Sequence, residues 1–79
     1  RGAVMSNIIN LSKLQNIGEE LLSHYLFVAC EDKLYNMRQG EAYLITRNEL
    51  SNLIYFAYGM TLNDSEIKIV YKHMINKII

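Results

Sequence analysis

The sequence predicts an α+β domain, with one helix, a three-stranded antiparallel meander, and two helices packed on it. Three observations predict this class. Apolar residues recur at helical spacing near both ends of the chain, short β-branched and aromatic runs fill the middle, and polar turn residues separate those runs. A chain of 79 residues suits one domain with one core. We therefore expect a single α+β domain over residues 5–79.

The first helix is predicted from an apolar stripe that begins close to the N-terminus. Asn10 or Ser12 is positioned to cap it. Gly18 either weakens the middle of the helix or lets another backbone come close. The stripe consists of Leu11, Leu14, Ile17, Leu21, Leu22 and Tyr25.

A meander is predicted next, because three short apolar runs are separated by tight polar turns. Gly40 lies in the second turn, where we expect a positive φ. Three strands are marginal unless helices cover one face, and helices are predicted on both sides in sequence. The runs are residues 26–30, 34–37 and 42–45, and the turns are residues 31–33 and 38–41.

Two capping boxes predict where the last two helices begin. The first joins Thr46 to Glu49, and the second joins Asn63 to Glu66. Gly59 is placed to end the earlier helix. The predicted buried stripes are Leu50, Leu53, Ile54 and Ala57, and then Ile67, Val70, Tyr71, Met74, Ile75 and Ile78.

Composition limits the class of protein. Residues 1–4 read as a cloning remnant before the native start at Met5. A lone Cys30 suits a reducing compartment, and we expect it to be buried as a small apolar side chain. No apolar stretch approaches the ~20 residues that span a bilayer, so we expect a cytoplasmic protein without membrane contact. An apolar fraction of 51% exceeds what so small a core can hide, which favours a protein partner.

Nothing in the sequence predicts catalysis, a metal or a cofactor. His24 and His73 fall in different helices, and Glu20 with His24 is a single i,i+4 pair, too little for a zinc site. The serines are explained as caps, and the four glycines are scattered rather than grouped in a phosphate-binding loop. We expect a non-enzymatic protein.

Basic and aromatic side chains form the one pattern that favours a ligand. Tyrosines on neighbouring strands beside basic residues can stack bases and hold phosphates, whereas the alternative is that they pack the sheet against a helix. Lysines in the last helix either face phosphates or complement the helix dipole. The predicted nucleic-acid-binding residues are Lys33, Tyr35, Arg38, Tyr43, Lys68, Lys72 and Lys77.

A second set of residues is predicted to contact a partner protein. These are large side chains on or near helix faces, where they serve as core residues or as interface anchors. The set is Tyr55, Tyr58, Tyr71 and Met74.

Residues 21–74 resemble the small region that precedes the ATPase in phage, plasmid and poxvirus-type primase-helicases. The resemblance implies an accessory domain or subunit of mobile-element DNA replication, with a helicase, primase or polymerase as partner and single-stranded DNA as a further ligand. No Walker-type ATPase motif follows in the sequence. The matching positions are Leu34-Tyr35, Gly40, Tyr43, Glu49-Leu50 and residues 62–70.

The segment around "ITRNEL" resembles the exit of a degenerate EF-hand. With Glu49 as the last loop residue, the liganding positions would hold Arg38, Gly40 and Ala42, which supply no carboxylate for calcium. This resemblance implies a protein-interaction module, such as a calcium-free EF-hand-like lobe. An inhibitor of a host protein is a further alternative, and a homodimer stays open.

Overall fold

Three helices and one three-stranded sheet make up residues 11–79, the part of the chain that the computed structural model describes. The α+β class and the order of its elements are confirmed. The predictions of a cloning remnant at residues 1–4 and of a cap at Asn10 lie outside the described residues. The elements are α1 Leu11–His24, β1 Phe27–Cys30, β2 Lys33–Arg38, β3 Glu41–Ile45, α2 Arg47–Tyr58 and α3 Asp64–Ile78.

The sheet is an antiparallel meander with β2 at its centre. Arg38 and Glu41 lie opposite each other, so two residues form the turn between β2 and β3. Gln39 has φ 54° and Gly40 has φ 82°, a pair of positive values typical of a type I′ turn. This turn matches the natural twist of a hairpin, and Gly40 has the predicted positive φ.

One face of the sheet, called here the inner face, packs against the helices. Leu34 on β2 is fully buried, and the register places Ala29 and Ile45 beside it on the neighbouring strands. Phe27 belongs to the same face and is also buried. Because side chains alternate along a strand, the residues between these point to the opposite side.

The opposite side, called here the outer face, carries an apolar row across all three strands. Val28, Tyr35 and Leu44 lie opposite one another in the register. Val28 is 37% exposed and Leu44 is 43% exposed, so the described elements leave this face uncovered. The other outer-face residues are Cys30, Lys33, Met37 and Ala42.

The thiol of Cys30 lies on the outer face and is exposed, so the prediction of a buried cysteine is wrong. The cause is the alternation of the strand. Phe27 and Ala29 point inward, which leaves Val28 and Cys30 facing outward. An apolar run alone could not reveal which of its residues would face the core.

The core is formed mainly between α3 and its neighbours, because α3 contacts α1, α2, β1 and β2. Leu11 and Tyr25 belong to the predicted apolar stripe of the first helix, yet both are exposed, since they lie beyond the buried stretch of α1. Ala57, in the last turn of α2, is exposed as well. The core residues are Leu14, Ile17, Leu21, Phe27, Leu34, Leu50, Ile54, Leu62, Ile67, Val70, Met74 and Ile75.

Helix α1 approaches α3 closely at Gly18. A Cβ atom there would lie 3.2 Å from Cγ of Met74 and 3.3 Å from Cδ2 of His73. Polar side chains beside Gly18 also join the two helices. The carboxylate of Glu19 lies 3.2 Å from Nε2 of His73 and 3.9 Å from Nζ of Lys77. Another backbone was one expectation for the space beside Gly18, but the atoms nearest to this position belong to side chains of α3.

The hydroxyl of Tyr71 fastens α3 to the sheet. It accepts a hydrogen bond from the backbone N–H of Leu34 at 3.0 Å and donates one to the carbonyl of Ile45 at 2.7 Å. Leu34 and Ile45 are cross-strand partners, so one side chain bridges β2 and β3. Both bonds are part-buried, where an unmet backbone group is costly.

The ends of α2 and α3 match the sequence signals. Both capping boxes form, from Thr46 to Glu49 and from Asn63 to Glu66. Gly59 adopts φ 68° and donates its N–H to the carbonyl of Tyr55, which ends α2. Among the helices of residues 11–79, none is long and apolar enough to cross a membrane.

The contact at Gly18 predicts that Gly18→Val destabilises the protein. The added methyl groups would enter space held by Met74 and His73, and overpacking of this kind costs about 1–3 kcal/mol. Asn16→Val, at an exposed position of the same helix, is the matched control for the cost of a β-branched residue. Urea unfolding measures both, and equal losses would contradict a tight α1–α3 contact.

The bridge made by Tyr71 predicts a large effect for a small change. Tyr71→Phe would leave the Leu34 N–H and the Ile45 carbonyl without this partner and cost about 1–3 kcal/mol. Tyr55→Phe removes the hydroxyl of a 59% exposed side chain and should change stability little. Thermal and chemical unfolding would test this, and a Tyr71→Phe variant as stable as wild type would refute the bridge.

Candidate anion-binding groove

A groove of about 630 Å³ opens where the sheet, α2 and α3 meet. Its walls are the turn between β1 and β2, the end of β3, the first residue of α2, and one face of α3. Its volume lies within the range of small-ligand sites. Among residues 11–79 it is the larger of the two depressions described here.

Four cationic side chains line this groove, against one carboxylate. Lys33, Arg47, Lys68 and Lys72 supply the positive charge, and Asp32 supplies the negative charge. Within the described part of the chain none of the four cations forms an ion pair. The groove therefore carries an excess of positive charge on a chain whose formal net charge is zero.

The position of each cation in the groove is set by the strand or helix that carries it. Lys68 and Lys72 are four residues apart on α3 and so share one helix face. Lys33 begins β2 directly after the two-residue turn, and Arg47 begins α2 directly after its cap. The start of β2, the start of α2 and one face of α3 therefore line the same groove.

The N-terminus of α2 adds little free charge to the groove. The carboxylate of Glu49 accepts hydrogen bonds from the backbone N–H of Thr46 at 3.1 Å and from its hydroxyl at 3.3 Å. The hydroxyl in turn accepts from the N–H of Glu49. Because the capping box already meets these groups, the side chains of the groove carry its electrostatic attraction.

Apolar side chains complete the lining. Leu44, Ile45, Tyr71 and Ile75 contribute to the groove beside the cations. The hydroxyl of Tyr71 is engaged with the two strands, so its ring is held in place. The groove therefore suits a ligand that has both negative charge and flat or apolar groups.

The structure brings together three of the seven residues predicted to bind nucleic acid. Lys33, Lys68 and Lys72 all line the groove. Lys77 does not, because it lies on the side of α3 that faces α1, near Glu19. Its predicted place beside the other two lysines of α3 is therefore wrong.

The predicted pairing of Tyr35 with Tyr43 is also wrong. Tyr43 lies opposite Asn36, and Tyr35 lies opposite Leu44, so the two rings point to opposite faces of the sheet. Successive side chains on a strand point to opposite faces. Tyr43 directly precedes Leu44, the partner of Tyr35, so the two rings lie on opposite faces although their strands are adjacent.

Tyr43 belongs instead to a small cluster at the far end of the sheet. The guanidinium of Arg38 lies 5.4 Å from the centre of its ring, within cation–π range. Its hydroxyl donates to the carboxylate of Glu41 at 3.3 Å. Arg38 and Lys33 stand at opposite ends of β2, about 17 Å apart. This cluster is separate from the groove.

The predicted partner-contact residues fall into different environments. Met74 is fully buried in the core, so its side chain is not available to a partner, and that prediction is wrong. Tyr71 is half-buried and holds the sheet. Tyr55 is 59% exposed and stays a prediction, as does the half-buried Tyr58.

Arg47 is the groove cation that the sequence analysis did not predict. The capping box at Thr46 already placed it in the first turn of α2. The register of β2 and β3 then brings that turn close to the start of β2, since Ile45 lies opposite Leu34. Only the packing of α3 showed that Lys68 and Lys72 would share this space.

Among the described residues, no group of three or more His, Cys, Asp or Glu side chains could hold a metal ion. The segment that would correspond to an EF-hand loop, residues 38–49, contains a hairpin turn, β3 and the start of α2. It does not form a calcium-binding loop.

Comparison of the chain with protein-family models, with curated proteins and with solved structures gives no match. Function must therefore be argued from the groove and the surfaces around it.

The contact between Tyr58 and Glu20 predicts a specific alkaline instability. The Tyr58 hydroxyl donates to the Glu20 carboxylate and ties α2 to α1. Burial, the hydrogen bond and the negative charge of Glu20 together raise the pKa of Tyr58 from 10.0 to about 12. Because the folded pKa is the higher one, the stability it contributes is complete below pH 10 and declines as the pH rises through 12.

The free energy of unfolding, measured against pH in wild type and Tyr58→Phe, checks this prediction. Their difference should shrink between pH 10 and pH 12. In Glu20→Gln the pKa of Tyr58 should fall toward its ordinary value, which tyrosinate absorbance would record. Parallel stability curves for wild type and Tyr58→Phe would contradict the raised pKa.

Proposed function

We propose that this protein is a non-enzymatic accessory domain of a phage-type or mobile-element DNA replication system. In this proposal it holds single-stranded nucleic acid by its phosphates in the groove and contacts a larger replication protein. The nucleic-acid part is supported by one observation: four cations that form no ion pair within residues 11–79 line the same groove. The resemblance of residues 21–74 to the region that precedes the ATPase in primase-helicases supports the replication part.

Phosphate binding suits the chemistry of the groove. Lysine ammonium groups are point charges that bind phosphate oxygens without demanding one orientation, and arginine adds a planar donor pair. Lys68 and Lys72 present two such charges from one face of α3, and Lys33 and Arg47 line the same groove from β2 and α2. Four cations against one carboxylate can neutralise more than one phosphate of a nucleic-acid backbone.

Contact with a partner protein is supported by large apolar side chains exposed on α2. Phe56 is 87% exposed and Tyr55 is 59% exposed, and they are adjacent in sequence. Aromatic side chains with this exposure are frequent anchors of protein interfaces. This surface lies on a different helix from Lys68 and Lys72, so both contacts could form in the same complex.

Replacing the two groove lysines of α3 should weaken nucleic-acid binding. We expect Lys68→Gln combined with Lys72→Gln to lower the affinity for a labelled single-stranded oligonucleotide about ten-fold at low salt. The slope of log affinity against log salt should fall by about 0.7 for each lost phosphate contact. Fluorescence anisotropy across a salt series measures both.

Lys77→Gln is the matched control, because it removes the same charge from the same helix on the side of Glu19. We expect it to leave the affinity and the salt slope unchanged. Equal effects of Lys77→Gln and the groove variant would indicate general attraction to the protein rather than a site. Binding that does not respond to salt, or no binding at micromolar protein, would reject the proposed function.

A further inference from the structure

The outer face of the sheet is continuous with the groove. Leu44 and Lys33 belong to both, since each lines the groove and each points to the outer side of its strand. A ligand that enters the groove from this side therefore passes onto the row formed by Val28, Tyr35 and Leu44. The charged and the apolar surfaces form one continuous area.

Tyr35 occupies the centre of that apolar row. It lies on the central strand, with Val28 opposite it on one edge strand and Leu44 opposite it on the other. Its partial burial between these neighbours limits the motion of its ring. A ring held in this way on an open sheet can stack on another flat ring without first losing much conformational freedom.

The occupant of this combined surface must carry both negative charges and flat apolar groups. The groove offers four cations against one carboxylate, which selects a polyanion by charge complementarity. The outer face offers an aromatic ring beside it. A duplex keeps its bases stacked inside, whereas a single strand can present one base to the ring and its phosphates to the cations.

We propose that Tyr35 stacks on an unpaired base of a single-stranded nucleic acid whose backbone phosphates lie in the groove. This assignment rests on the proposed function of the groove and adds the residue that contacts the bases of the strand. It makes the outer face the base-contacting surface and Tyr35 its central residue. Tyr43, on the opposite face, has no part in it.

Three probes separate base stacking from phosphate binding. They are a labelled oligothymidylate, an abasic oligomer with the same number of phosphates, and a duplex of the same length. We expect the oligothymidylate to bind more tightly than the abasic oligomer, because only it has bases to stack. We expect the duplex to bind more weakly than the oligothymidylate, because its bases are not available to Tyr35.

Variants of Tyr35 then test the ring itself. Tyr35→Ala should weaken oligothymidylate binding about ten-fold, leave abasic binding unchanged, and keep the salt slope of wild type. Tyr35→Phe keeps the ring and should bind as wild type does. Tyr35→Leu keeps an apolar side chain on the sheet but lacks the ring, so it should show the loss seen in Tyr35→Ala even if the alanine variant is poorly folded.

Tyr43→Ala is the matched control, since it removes the same side chain from the neighbouring strand on the inner face. We expect it to leave the oligothymidylate affinity unchanged. Circular dichroism of each variant confirms that the compared proteins are folded.

The outcomes distinguish this inference from the function it rests on. If oligothymidylate and the abasic oligomer bind equally, or if Tyr35→Leu binds as wild type, the stacking assignment is overturned while the groove function stands. If no oligomer binds in a salt-dependent way, both fail. A synthetic peptide of alternating Glu and Phe serves as competitor. If that peptide binds and depends on Tyr35 while oligothymidylate does not bind, the occupant is a peptide and the proposal is overturned.

Discussion

The packing of α3 is the constraint on which the rest of the structure depends. A three-stranded sheet is not stable with both faces in water, and α3 covers its inner face while also contacting α1 and α2. The Tyr71 hydroxyl fixes the helix to two strands, and Gly18 lets α1 approach from another side. With Val70 and Met74 in the core, helical geometry directs Lys68 and Lys72 toward the sheet edge. The same packing that stabilises the domain therefore builds the wall of the groove.

The groove is positive although the formal net charge of the chain is zero, because most of the carboxylates interact with other parts of the domain. Glu49 and Glu66 complete capping boxes, and Glu19 lies against His73 and Lys77 at the contact between α1 and α3. Glu20 and Glu41 accept hydrogen bonds from tyrosine hydroxyls. Each of these acids has a partner, and of those partners only Thr46 lines the groove. The four cations of the groove therefore face one lining carboxylate, that of Asp32, because these five acids serve helix ends, tyrosine hydroxyls and the contact between α1 and α3.

Features set by neighbouring residues could be predicted from the sequence, and features set by distant packing could not. The caps at Thr46 and Asn63 and the turn at Gly40 need only a few consecutive residues, and all three form as expected. The faces of Tyr35 and Tyr43 depend on the register between strands, which an apolar run does not specify. The groove needs α3 to approach the sheet, and the bonds of Tyr71 span 26 and 37 residues, beyond any local pattern.

The contact between α1 and α3 joins the two ends of the described chain, with Glu19 and His73 separated by 54 residues. The meander and α2, by contrast, are built from hairpins and neighbouring segments. Tyr71 adds two further long-range bonds, which join α3 to the sheet across 37 and 26 residues. Because closing a long loop costs more entropy than closing a short one, the contacts of α3 carry the largest such cost in the domain. Ile67, Val70, Met74 and Ile75 of α3 belong to the core, so a fragment that stops before Asp64 loses four of the twelve described core residues together with the helix that covers the inner face of the sheet.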